Sequence, residues 1–116
     1  MREQILSILQ NEWGNYVNAF YRLTPEERSA FLTRQGYARL ADLLAHVAAW
    51  WKEGHQAIGL MITNPGYSSP DVDVDWFNAR AVADVRTLDE PAVISSFEVM
   101  RRQLIQLVEN LPASAF

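Results

Sequence analysis

Four side chains in one stretch have types and spacing that could do chemistry: Asp42, His46, Trp50 and Glu53. They follow one another at steps of four, four and three, which on a helix makes a single line. A carboxylate then stands one turn before the imidazole, and another about two turns after it. A neutral imidazole so placed can ligate zinc or nickel, with Asp42 or Glu53 as co-ligand or as the group that orients the ring. Asp42, Trp50 and Glu53 could equally edge a pocket for a small apolar ligand. Each has a plainer reading. A single histidine beside an apolar helix face is more often bonded to a neighbour than to a metal. A metal site needs three or four converging ligands. His55 is the one other histidine, nine residues on, about 900° around the helix and so on the opposite side. His46 is the candidate metal ligand, and the two histidines of one chain cannot share an ion.

Other chemistry is thinly represented. The chain has no cysteine, which excludes disulfides, thiolate metal sites and cysteine nucleophiles. Its serines have no nucleophile-elbow context, and no glycine-rich phosphate loop is present. Asp71, Asp73 and Asp75 resemble the start of a calcium loop, but Trp76 stands where that loop needs glycine and Val82 where it needs glutamate. They are better explained as acids at a helix start. The four tryptophans, Trp13, Trp50, Trp51 and Trp76, could line a pocket or fill helix contacts. Trp50 and Trp51 point about 100° apart, so at most one faces the centre and the other lines an edge.

The chain's 116 residues suit one domain, and the 49% that are hydrophobic suffice for a core. The net charge of -4 and the lack of any Lys/Arg block argue against phosphate-held nucleic acid. Met1-Arg2-Glu3-Gln4 leads into an amphipathic pattern rather than a signal core. The longest apolar run, Val47 to Trp51, is far short of a membrane span. The expectation is a soluble cytoplasmic protein with neither nucleic-acid nor membrane partner.

The elements that must position these residues read as helices. Ile5, Leu9, Trp13, Tyr16, Val17 and Phe20 predict a first helix from about Glu3 to Arg22, with Gly14 inside it as a candidate point of close packing. Thr24, Pro25 and Glu27 form a capping box for a short helix to about Arg34, stopped by Gly36. Leu40, Leu43, Leu44, Val47, Trp50 and Trp51 make the apolar face of a long helix from about Ala38 to Ile62, weakly capped, with Gly54 and Gly59 near its end. A Pro/Gly/Ser loop follows, then a short helix from Asp73 to about Val85. Thr87 to Glu90 restarts the chain, and the last helix, with Pro91 in its first turn, runs to about Asn110 and carries the heptad-like seam Val93, Phe97, Met100, Leu104, Leu107 and Leu111. No strand is predicted.

Gly36 to Trp50, with its aspartate-leucine-leucine-alanine-histidine core at Asp42 to His46, resembles a motif helix of the DinB-like superfamily. Asp75-Trp76-Phe77-Asn78 resembles the second helix start of its ClbS/DfsB branch. The likeness spans about Trp13 to Phe116. It implies a four-helix bundle, often dimeric, in which many relatives hold a divalent metal through three histidines. His46 matches the first of these. The other two belong to a final helix that would begin where this sequence stops, at Phe116.

The expected fold is all-α: a DinB-like antiparallel bundle of three long helices and two short ones, its open side covered by a second copy in a homodimer. The function implied is a non-catalytic or degenerate DinB-like protein, without a required cofactor, binding a small apolar ligand. The alternatives are a metal-dependent transferase or hydrolase using His46 with further ligands from a second subunit, and a protein-protein interaction module.

Overall fold

A computed structural model describes residues 1–116. It is helical, with no strand. The helices are α1 (Arg2–Ser7), α2 (Tyr16–Tyr21), α3 (Pro25–Gln35), α4 (Leu40–Thr63), α5 (Val74–Asp84) and α6 (Glu90–Asn110). A π-helical turn, Ile8–Glu12, continues α1, and a 3₁₀ turn, Ala113–Ala115, follows α6. No helix is long and apolar enough to cross a membrane.

The single first helix predicted from Glu3 to Arg22 is broken, and backbone hydrogen bonds show how. The Trp13 N–H reaches back five residues to the Ile8 carbonyl, at 3.0 Å, instead of four to Leu9. The Leu9 carbonyl thereby loses its helical donor, and the Arg101 guanidinium of α6 takes the place at 3.0 Å. Glu98 holds Arg101 at 2.7 Å. Gly14 follows directly, and a Cβ there would lie 2.0 Å from the Gln10 carbonyl oxygen and 3.3 Å from Arg101 Nη1. The close approach expected at Gly14 is thus to its own preceding turn as well as to α6. Gly14→Ala is expected to cost about 1–3 kcal/mol through overpacking, read from the midpoint of a urea melt.

The other starts follow the side chains. Thr24 and Glu27 form both bonds of the capping box, at 3.2 and 2.9 Å. Gly36 ends α3 at φ +85°, with the Tyr37 and Gly36 N–H groups closing on the Leu32 and Thr33 carbonyls. Arg39 gives α4 no side-chain cap. Glu90, at the head of α6, compensates: Oε1 accepts from the Ala41 N–H at 3.3 Å, and Oε2 from the Tyr21 hydroxyl at 2.5 Å. Burial, then this bond, pushes the Tyr21 pKa up to about 12.

These contacts also fix direction. The starts of α4 and α6 lie side by side at Ala41 and Glu90, and their far ends, at Met61 and Val108, line the same groove. The two longest helices therefore run parallel, which corrects the all-antiparallel arrangement expected from the sequence. The physical reason is α5. It returns along α4, with Asn78 bonded to Trp50 and Val85 bonded to Arg39, so α6 begins where α4 began. α1 opposes α6, with Arg2 at Leu111 and Leu9 at Arg101.

The core sits at one end. Only 14 of 116 residues are buried, and six of these are the consecutive run Leu40 to Ala45. Phe97, Leu40 and Leu44 are the largest side chains sealed from water, among Phe20, Leu32, Leu43 and Val93. Along α6 the buried line is Val93, Phe97, Val108 and Leu111. Val108 replaces the predicted Leu107 because a straight helix drifts off a strict heptad. Towards the far end α1, α4 and α6 splay. The radius of gyration is 15.7 Å, against roughly 13 Å for a compact chain of this length.

Candidate functional site

The line predicted on α4 forms, but its members are put to different uses. Asp42 is buried at the start of the helix. Its Oδ1 accepts from Arg39 Nη2 at 2.8 Å and Nε at 3.2 Å. The same guanidinium donates to the Leu88 and Val85 carbonyls, at 3.1 and 3.2 Å. Asp42 is thus half of an ion pair that ties α4 to the turn between α5 and α6.

His46, one turn on, is half-buried against Tyr37, with ring centroids 5.4 Å apart. Its Nδ1 is buried without a hydrogen-bond partner. Burial lowers its pKa below the ordinary 6.5, and the Leu43 backbone pulls weakly the other way without forming a good hydrogen bond to Nδ1. The orphaned nitrogen is what a metal ligand would show, but no group of three His, Asp or Glu side chains converges around it or elsewhere in the chain. The depressed pKa has a consequence for stability. Between the native and unfolded pKa values the unfolded chain binds more protons, so stability is full above about pH 6.5 and falls as pH drops below it. Wild type should lose melting temperature from pH 7.5 to 5 more steeply than His46→Gln does.

Trp50 and Glu53 complete the line. The Trp50 indole N–H donates to Asn78 Oδ1 at 2.7 Å, and its ring packs on Phe77 at 4.2 Å. Glu53 is exposed and edges a polar cleft with Tyr67 and Asp71. Asp42 borders a different cleft, near Arg86 and Val82. The structure therefore brings Trp50 and Glu53 to one cleft and leaves Asp42 at another.

The largest concavity is a groove of about 790 Å³ between α1, the second half of α4 and the second half of α6. Of its sixteen lining residues fifteen are hydrophobic, and the other is Gly54. Trp13 and Trp51 meet edge to face at 5.3 Å, and Trp51 stacks on Phe97 at 5.1 Å. This aromatic cluster joins the groove to the core. Ile5 and Ile8 form one wall, Ile58 and Met61 the other, with Leu104 and Val108 between them. Trp50 is the one predicted site residue that borders it. A Cβ at Gly54 would meet nothing within 4 Å, so that position on α4 is open.

Sequence reasoning anticipated an uncovered apolar side but not these residues. The usable signal was Ile58, Met61 and Ile62 continuing an apolar helix face after the Trp50-Trp51 pair, with no later segment predicted to cover them. Against known family models, curated proteins and solved structures the chain has no match.

Proposed function

We propose that this chain is a non-catalytic helical-bundle protein of the DinB-like, ClbS/DfsB kind, which takes up a small apolar molecule in the groove between α1, α4 and α6. One observation carries the reading: about 790 Å³ of groove with fifteen hydrophobic lining residues of sixteen. A volume of this size is typical of small-molecule sites. Its lining also selects the ligand. No lining side chain is charged and the lining offers side-chain donors only in its tryptophan indoles, so most polar groups of a ligand buried there would go unpaired, at about 1–3 kcal/mol apiece. The ligand must be hydrocarbon along the groove and keep polar atoms at its ends.

Gly54 supplies the test. Its Cβ direction is open, and it lies in the groove wall where the groove adjoins the polar cleft beside Glu53. Gly54→Leu fills the groove while removing a glycine that costs a helix about 1 kcal/mol. The neutral probe N-phenyl-1-naphthylamine should bind wild type saturably, near one per chain, with quenching of tryptophan emission. Gly54→Leu should abolish binding without lowering the melting temperature. No saturable binding, or binding unchanged in a folded Gly54→Leu, overturns the reading.

A second occupant is favoured by a separate observation. Leu60, Met61 and Ile62 are 45–51% exposed at the end of α4; Met61 and Ile62 belong to the groove, and Leu60 carries apolar surface past it. A homodimer, with a second copy covering this end, would remove it from water. Light scattering at micromolar concentration should then give twice the chain mass, and a monomer mass removes this alternative. The enzymatic alternative, a metal-dependent transferase or hydrolase using His46, would need its remaining ligands from that second copy.

A further inference from the structure

The groove's side chains are uncharged, and its lining residue Met1 carries the N-terminal amine, 4.0 Å from Glu3; a guanidinium stands beside that same end. Arg2, on the first turn of α1, does not itself line the groove but contacts two residues that do. Its guanidinium carbon sits 5.0 Å from the centre of the Phe116 ring, and Nη2 donates to the Leu111 carbonyl. Phe116 and Leu111 both line the groove. No carboxylate pairs with Arg2: the chain's four ion pairs involve the N-terminal amine, Arg39, Arg80 and Arg101. Nε is buried with no hydrogen-bond partner, and Nη1 has none in the protein. A guanidinium has five donors arranged to grip a carboxylate, and this one has engaged a single neutral acceptor.

Resting on the ligand reading above, we infer that the groove takes a single-chain carboxylate amphiphile, its hydrocarbon tail along the Ile5–Ile58 walls and its carboxylate at Arg2. The pairing supplies what the groove lacks, a polar group at one end for a ligand that must be apolar everywhere else. A free acid is favoured over an anionic bilayer. The chain's net charge of -4 opposes a negative surface, whereas one carboxylate needs only the local field of Arg2.

The test compares dodecanoic acid with dodecanol as competitors for bound N-phenyl-1-naphthylamine on the same protein at pH 8. The acid should displace the probe at roughly ten-fold lower concentration, the scale of a charge-assisted hydrogen bond. Arg2→Gln should erase the difference by weakening the acid alone, and Arg2→Lys should restore part of it. The wild-type comparison requires no variant, so misfolding of Arg2→Gln cannot obscure the result. Equal displacement by acid and alcohol sinks this inference and leaves the apolar-ligand reading standing, whereas a probe that never binds sinks both. Sedimentation with phosphatidylglycerol vesicles, unaffected by Gly54→Leu, would also overturn it in favour of a membrane surface.

Discussion

Phe97→Ala is expected to cost about 3–5 kcal/mol, the usual range for deleting a buried phenyl ring. Phe97 has no exposed surface. Its ring stacks on Trp51 at 5.1 Å and meets Trp13 edge-on at 6.2 Å. It therefore joins α6 to both α4 and the π-turn segment. Small domains have about 5–15 kcal/mol in total, so the variant would be close to unfolding or beyond it. Guanidinium melts of Phe97→Ala and the milder Phe97→Leu would measure the effect, and near-ultraviolet circular dichroism would report loss of the fixed tryptophan environment. A cost below about 1 kcal/mol would mean that Trp13 and Trp51 can close over the space, and that the aromatic cluster does not hold the helices in place.

Arg39→Ala should have the next largest effect, about 2–3 kcal/mol. The Asp42 side chain is 9% exposed and that of Arg39 37%. Removing one member of a buried pair generally costs about 3–5 kcal/mol, because the other charge is stranded. Water reaches Arg39, so the lower end applies after allowing for solvent screening. The Val85 and Leu88 carbonyls lose their donor in the same step. Lysine should rescue little, since one ammonium cannot reproduce a planar fork serving three acceptors. Urea melts of Arg39→Ala, Arg39→Lys and Asp42→Asn separate loss of charge from loss of the fork. If lysine behaves as wild type, the two carbonyl contacts contribute nothing.

Local chemistry made much of the fold legible. Thr24, Pro25, Glu27 and Gly36 mark both ends of α3, and Asp73 and Asp89 cap α5 and α6 through the Trp76 and Ala92 N–H groups. Such signals are readable because cap and helix are neighbours in sequence. The break at Ile8–Glu12 was not readable. Its apolar spacing fits one continuous helix, and it depends on Arg101, about ninety residues away, accepting responsibility for a single carbonyl. The cap on α4 was equally hidden, because Glu90 lies on another helix. The parallel course of α4 and α6 follows from which side α5 returns along, and periodicity carries no information about that.

The candidate site divides in the same way. Spacing correctly placed Asp42, His46 and Trp50 in register along α4, yet their partners Arg39, Tyr37 and Asn78 decide what each does. The groove escapes a residue-by-residue reading altogether. It is made by the divergence of three helices whose lining residues look like ordinary core.

The splayed far end also affects how the molecule would behave on a sizing column. With extents of 47 × 30 × 23 Å, a single chain tumbles as a larger particle than its 13.2 kDa would suggest. It should elute early against spherical standards, in the direction of a dimer. Retention volume alone would therefore overcount subunits, and any claim of self-association should come from sedimentation equilibrium.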